Sequence, residues 1–121
     1  MQKLTFCLVR LPHLTREAFQ DYWFNTHGPL VRSVAGLLGI KRYVQLHSAD
    51  PAASAAIVAS RGGPPQFDGV AELWIEPRSD LTPAQREEAA SAGRLLLEDE
   101  KRFIDLSRSP LWFGEEKVII G

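Results

Sequence analysis

The sequence has almost no cysteine, since Cys7 is the only one in 121 residues. An internal disulfide is therefore excluded, which fits a reducing compartment. The histidines His13, His27 and His47 lack the spacing of metal ligands, and no Cys-x-x-Cys pair accompanies them, so we expect no metal site. Long hydrophobic runs are also missing. The N-terminal apolar stretch is too short and too interrupted for a signal peptide or a membrane span, and we expect a cytoplasmic protein without membrane contact.

An excess of charge of one sign is missing as well. The chain carries 14 basic and 15 acidic residues, for a net charge of −1. This balance gives no long-range attraction to nucleic acid, so we expect no nucleic-acid partner. Gly62-Gly63 is not followed by the Lys-Ser/Thr of a phosphate loop, and no dinucleotide fingerprint is present. The sequence therefore argues against a stand-alone nicotinamide-dependent reductase.

The length and the hydrophobic content predict a single globular domain over residues 1–121. Hydrophobic residues make up 45% of the chain. A chain of this size buries about two-thirds of its unfolded surface, which is enough to fold without a metal or a disulfide.

Hydrophobic periodicity predicts an α+β fold with the element order β-α-β-β-α-β, the ferredoxin-like arrangement with an antiparallel sheet. Thr15 and Thr82 are the expected helix N-caps. The Gly28-Pro29 pair should interrupt the first helix, and Gly93 should break or bend the last one. The expected strands are 3–10, 40–47, 67–76 and 112–120, and the expected helices are 16–25, a short piece after Pro29, 83–92 and 95–105.

The predicted strands are apolar on both faces, although helices can cover only one face of such a sheet. A large exposed apolar face is uncommon on a monomer, so we expect a homodimer in which two sheets pack face to face as an α+β barrel. Residues 48–66 are rich in Ala, Ser, Gly and Pro. They predict a long connection, with one or two helical turns within 52–60, of the kind that often forms a mobile lid.

An aromatic stripe ends on a histidine in the first helix. Phe19, Trp23 and His27 follow one another at four-residue spacing, so their side chains share one helix face, with Tyr22 beside them. The pattern is typical of an apolar pocket that holds one polar group. Because an imidazole titrates near neutral pH, His27 is our candidate for proton transfer, and bracing of the Gly-Pro break is the alternative role.

The chain resembles the EthD family of the dimeric α+β barrel superfamily. The resemblance rests on the FxxYWxxxHGPLV pattern at residues 19–31 and the DExxFIDLSRS segment at residues 99–109. Relatives in this superfamily include isomerases of muconolactone type and dehydratases or decarboxylases of aromatic polyketides. The resemblance implies a pocket histidine at His27 and a nearby tyrosine at Tyr43. It also leaves haem open, with His27 as its axial ligand, although we expect no cofactor.

We therefore expect a protein that binds a small hydrophobic or aromatic metabolite. His27 and Tyr43 are the predicted catalytic residues, of which Tyr43 would hydrogen-bond a substrate oxygen. Four aromatic residues are the predicted pocket wall, although each also suits an ordinary core: Phe6, Phe19, Tyr22 and Trp23.

Three functions stay open at this point: a cofactor-free isomerase, dehydratase or lyase; an accessory or substrate-carrier protein of an oxidative catabolic pathway; and a structural or sensory dimer. A pocket without polar groups near His27 would favour the second, and the absence of any pocket would favour the third. The charged residues Asp99, Glu100, Arg102, Asp105 and Arg108 are interpreted as a solvated face or as helix-end ion pairs.

Overall fold

The computed structural model describes all residues, 1–121, and has four strands in one antiparallel sheet. The strands are β1 (Gln2–Leu8), β2 (Ile40–His47), β3 (Gly69–Ile75) and β4 (Leu111–Gly114), in the spatial order β2-β3-β1-β4. The helices are α1 (Arg16–Tyr22), α2 (Gly28–Leu38), α3 (Ala52–Arg61) and α4 (Pro83–Glu100), with a π-helical turn at Trp23–His27 and a 3₁₀ turn at Leu106–Arg108. The predicted ferredoxin-like α+β fold is confirmed.

Strand register divides the sheet into two different faces. Phe6 lies opposite Ala71, and Tyr43 lies opposite Leu73, and these residues face the helices. The alternate residues form the other face, which we call the open face because no helix of the chain covers it. Its members are Lys3, Thr5, Cys7, Arg42, Val44, Leu46, Val70, Glu72, Trp74 and Trp112.

The core lies between the helix-covered face and the first helical segment. Its buried members are Phe6, Leu8, Phe19, Trp23, Ala71, Phe103 and Ile104. The Phe19 ring centroid is 5.6 Å from those of both Trp23 and Phe103, in tilted geometry. Such aromatic pairs pack at the favourable distance and fix the first helical segment on the sheet.

The predicted break at Gly28-Pro29 is wrong. The chain stays helical from α1 through the π turn into α2, and the Gly28 N–H donates to the carbonyl of Trp23, five residues earlier. A π turn widens the helix by one residue, which accommodates the proline ring at the start of α2, where its missing N–H costs little. His27 thus lies inside a continuous helical segment and keeps its side chain directed inward.

The last helix also differs from prediction. Helix α4 runs through Gly93 without a break and ends at Glu100, while residues 101–105 form turns and a short bridge. Gly93 is surrounded by good helix formers, and one glycine costs a helix only about 1 kcal/mol relative to alanine. Thr82 caps the helix by a capping box with Gln85, as its sequence position predicts.

Strand β4 ends at Gly114 and not at residue 120. Gly114 already lies opposite Lys3, and β1 begins at Gln2, so later residues have almost no strand to pair with. Residues 52–61 form a full ten-residue helix, α3, longer than the predicted one or two turns. None of its residues is buried. None of the helices has the length and apolar character needed to cross a membrane.

Gly69 is predicted to be intolerant of any side chain. A Cβ at this position would lie 2.8 Å from Trp23 Cη2 and 2.9 Å from the Leu46 carbonyl oxygen. Gly69→Ala should therefore lower the free energy of unfolding by about 1–3 kcal/mol through overpacking. Urea denaturation followed by circular dichroism measures this loss.

Gly93→Ala is the matched control, because a Cβ on Gly93 meets nothing within 4 Å. It should stabilise the protein by about 0.5–1 kcal/mol through helix propensity. Equal effects of the two substitutions would contradict the close approach of Trp23 to the sheet.

Candidate active site

An apolar cavity of about 280 Å³ lies between the helix-covered face and helices α2 and α4. We call it the inner cavity. Fourteen of its sixteen lining residues are hydrophobic, and the two exceptions are His27 and Glu100. Its lining residues are Leu4, Phe6, Leu8, Trp23, His27, Val31, Leu38, Ile40, Tyr43, Ala71, Leu73, Ile75, Leu96, Glu100, Ile104 and Leu111. A mainly apolar wall with a few convergent polar groups is typical of a small-molecule site.

His27 is held by a carboxylate behind it. Asp99 Oδ2 lies 2.7 Å from His27 Nδ1, and the Tyr22 hydroxyl donates to Asp99 Oδ1 at 2.6 Å. Both His27 and Asp99 are buried. Because a carboxylate can only accept hydrogen bonds, His27 Nδ1 must be the donor of this one. The imidazole proton therefore lies on Nδ1, and Nε2 keeps its lone pair.

The protonation state of His27 follows from its surroundings. Burial lowers the pKa of His27, and the hydrogen bond and charge of Asp99 oppose part of that change. The imidazole is therefore neutral at neutral pH. Nε2, the ring nitrogen that Asp99 does not occupy, is left unprotonated on a residue that lines the inner cavity.

Tyr43 is held by two hydrogen-bond donors. Trp23 Nε1 donates to the Tyr43 hydroxyl at 3.2 Å, and Gln45 Nε2 donates to it at 2.8 Å. The Gln45 amide is itself oriented, because Nε2 also donates to the Trp23 carbonyl at 3.0 Å and Oε1 lies 2.7 Å from His47 Nε2. With both acceptor positions occupied, the Tyr43 O–H is free to donate to a group in the cavity.

Tyr43 also keeps its proton at neutral pH. Burial raises the pKa of Tyr43, the hydrogen bonds from Gln45 and Trp23 lower it, and the charge of Glu100 raises it. The net direction is upward. The phenol is thus a neutral donor of the kind that stabilises developing negative charge on a substrate oxygen.

Glu100 has the most perturbed carboxyl group at this site. Burial, reinforced by the negative charge of Asp99, raises its pKa from 4.5 to about 7. No donor hydrogen-bonds its carboxyl oxygens, whereas its neighbour Asp99 receives two hydrogen bonds. Glu100 is therefore close to half-protonated at neutral pH, which is the condition for moving a proton in either direction.

The structure separates the predicted wall residues into two groups. Phe6 and Trp23 line the inner cavity together with His27 and Tyr43. Phe19 and Tyr22 do not line it, which corrects their prediction as part of the pocket wall. The Phe19 ring is fully buried against Trp23 and Phe103, and the Tyr22 hydroxyl bonds Asp99, so both side chains are taken up by packing outside the cavity.

Sequence reasoning missed three residues of the site: Asp99, Glu100 and Gln45. The interpretation of Asp99 as part of a solvated ion pair with Arg102 is wrong, because its carboxylate is buried against His27 and Tyr22. Two signals pointed to these residues: the DExxFIDLSRS segment begins at Asp99, and Gln45 follows Tyr43 by two residues on one strand face. The expected ion pair between Asp105 and Arg108 is present at 4.0 Å.

The remaining candidates have ordinary surroundings. No group of three or more His, Cys, Asp or Glu side chains is arranged to hold a metal ion. Burial raises the pKa of the Cys7 thiol, which keeps it protonated and weakly reactive.

The comparison with known proteins identifies the family. The model of the EthD domain matches residues 11–107, and the chain belongs to the EthD family. An EthD family protein from Bacillus halodurans has a similar structure. The TM-score is 0.60 and the sequence identity 20%, over 97% of this chain and all of that one. HapK from Hahella chejuensis is similar with a TM-score of 0.55 and 11% identity, over 100% of this chain and 96% of that one. No curated protein matches significantly in sequence. At these identities the two structures establish the shared fold.

Replacing Glu100 tests its raised pKa. Between its ordinary value of 4.5 and about 7, the folded protein binds a proton that the unfolded chain does not. The stability of the wild type should therefore fall relative to Glu100→Gln as the pH rises through this window, by on the order of 2 kcal/mol. Urea titrations at about pH 4.5 and about pH 8 measure the difference.

Glu98→Gln is the control, because Glu98 is an exposed carboxyl group on the same helix as Glu100 and pairs with Lys101, just beyond the helix end, at 2.8 Å. Its stability relative to wild type should hardly change across the same window. The raised pKa of Glu100 is contradicted when Glu100→Gln and wild type have parallel pH profiles.

Proposed function

We propose that this EthD-family protein binds a small hydrophobic or aromatic metabolite in the inner cavity and transfers a proton on it without a cofactor. The reaction would be of isomerase, dehydratase or related lyase type. The observation that carries the proposal is the presence of His27, Tyr43 and Glu100 on the wall of one apolar cavity. Three polar groups in an otherwise apolar lining favour chemistry over simple carriage.

In the proposed reaction His27 Nε2 removes a proton from a substrate atom next to an oxygen-bearing carbon. Asp99 then stabilises the imidazolium through the hydrogen bond at Nδ1. This arrangement is the general-base half of an Asp-His pair, in which the carboxylate orients the ring and offsets its charge. Asp99 is thus a positioning residue, and Tyr22 positions Asp99 in turn.

Tyr43 and Glu100 complete the proposed chemistry. The Tyr43 O–H hydrogen-bonds the substrate oxygen on which negative charge develops. Glu100, with a pKa of about 7, donates a proton to a substrate carbon in an isomerisation, or to a leaving hydroxyl, which then departs as water, in a dehydration. A base and an acid whose surroundings give them different proton affinities are the usual components of such a site.

The proposal needs no cofactor, because base, acid and hydrogen-bond donor are all side chains of this chain. Haem, which the resemblance left open, would require His27 Nε2 as its ligand and so would remove the proposed base. An absorption spectrum of the purified protein distinguishes the cofactor-free site from a haem site, since a bound haem gives a strong Soret band.

Hydrogen–deuterium exchange tests the proton transfer before any natural substrate is identified. The protein in D₂O should accelerate deuterium incorporation at the α-carbon of 2-tetralone, an enolisable aromatic ketone, as measured by mass spectrometry. His27→Ala should reduce the acceleration by about 10²-fold or more, the usual size of a general-base contribution. Tyr43→Phe should also reduce the acceleration, because the variant loses the hydrogen bond to the ketone oxygen.

His13→Ala is the matched control, because His13 is exposed on a turn outside the cavity. This variant should accelerate deuterium incorporation into 2-tetralone as much as the wild type does. Exchange that is unchanged in His27→Ala would overturn the catalytic role. A ketone that binds in the cavity without any exchange would instead favour the accessory or carrier function.

We also propose that the protein is a homodimer formed through the open face. Trp112, Leu46 and Val70 give this face an apolar surface, and the side chains of Leu46 and Trp112 are 61% and 52% exposed in the single chain. Exposed apolar surface of this kind is uncommon on an isolated domain. A second copy related by two-fold symmetry would bury the same residues on both chains.

Leu46→Asp should prevent this association, because it places a charge in the apolar part of the interface. Light scattering should give twice the 13.5 kDa chain mass for the wild type and the single mass for the variant. Ile57→Asp is the control, since Ile57 is 56% exposed but lies on α3, away from the sheet. A monomeric wild type would contradict the proposed dimer.

A further inference from the structure

A second concavity lies beside the inner cavity, between helix α2 and the edge strand β2. Its volume is about 530 Å³, and we call it the outer groove. Val31, Ile40 and Tyr43 line both the inner cavity and the outer groove. The two spaces therefore adjoin at these three side chains, which include the proposed oxygen-binding Tyr43.

The outer groove is positively charged, whereas the chain as a whole is nearly neutral. Its lining includes Arg32, Lys41 and Arg42 and no acidic residue. The whole chain, in contrast, has more acidic residues than basic ones. A concave surface lined by charges of one sign concentrates ligands of the opposite sign.

Two of the three cations have no partner in the chain. Neither Arg32 nor Lys41 forms a salt bridge, whereas the Arg42 guanidinium lies over the Trp74 ring on the open face, at 4.9 Å. The charge of Lys41 contributes to the lowered pKa of Asp80, but the Asp80 carboxylate forms its salt bridge with Arg78, at 2.9 Å. Arg32 and Lys41 are thus available to an external anion.

The two neutral amides of the groove have hydrogen-bond partners within the chain. The Asn25 amide donates to Asp21 at 2.8 Å, and the Gln45 amide donates to Tyr43 and Trp23. Both N–H bonds of Gln45 are therefore occupied, whereas Asn25 keeps one N–H for a neutral polar ligand. The free donors that line the groove and attract a ligand by charge are those of Arg32 and Lys41.

We infer that the substrate is an amphipathic carboxylate, whose apolar ring lies in the inner cavity and whose carboxylate binds Arg32 and Lys41 in the outer groove. This inference rests on the proposed function, because it places the substrate's oxygen-bearing carbon between the two spaces, at Tyr43. The guanidinium of Arg32 can bind a carboxylate through two parallel hydrogen bonds, and Lys41 adds a point charge.

A matched pair of probes tests the inference. 2-Naphthoate and 2-naphthamide have the same ring system and similar size, and only the first is an anion. Calorimetric titration of the wild type should give tighter binding of 2-naphthoate. Because both cations are exposed, the preference should be modest, roughly 3- to 10-fold, and should weaken as NaCl is raised.

The double variant Arg32→Gln/Lys41→Gln should lose this preference while it binds 2-naphthamide like the wild type. Arg94→Gln/Lys117→Gln removes the same charge from exposed positions outside both spaces and should keep the preference. Circular dichroism and thermal unfolding of each variant check that the fold is intact.

The outcomes separate this inference from the proposed function. Equal binding of the two probes by the wild type, or a preference that survives in the double variant, overturns the anionic substrate and leaves the inner cavity as a binding site. Failure of both probes to bind the wild type overturns the cavity as an aromatic site, and the carboxylate inference with it.

Discussion

The burial of the Trp23 indole is the constraint on which the rest of the structure depends. A buried indole needs a partner for its N–H and a flat surface for its ring. Gly69 provides the surface, because any side chain there would overlap the ring, and the Tyr43 hydroxyl accepts from Nε1. His47 stacks on the ring at 4.5 Å. The first helical segment is thereby fixed against strands β2 and β3, and the inner cavity is formed beside it.

The π turn that carries Trp23 has a direct consequence for the site. Because it widens the helix by one residue, Tyr22 and His27 both reach Asp99 on α4. A regular helix would place these two residues on different faces. π turns of this kind occur often at functional sites, where they redirect side chains without breaking the helix.

Asp99 and Glu100 illustrate how surroundings decide the chemistry of two adjacent carboxyl groups. Asp99 receives two hydrogen bonds, from Tyr22 and His27, and so orients the imidazole. Glu100 faces an apolar wall and the charge of Asp99, and its pKa rises to about 7. Neighbours in sequence therefore differ in role, one as a positioning group and the other as a proton donor or acceptor in the proposed reaction.

The sequence by itself determined the fold class, the order of helices and strands along the chain, and the place of His27 on an aromatic helix face, because periodicity and caps are local properties. The resemblance to the EthD family also predicted a site residue at Tyr43, which lines the inner cavity together with His27. Only the tertiary structure decided that Asp99 and Glu100 belong to the site, since helix α4 meets the π turn some seventy residues away in sequence. It likewise decided that Phe19 and Tyr22 lie behind the cavity wall. Periodicity finds a buried face, but which buried residue meets a cavity depends on packing between distant elements.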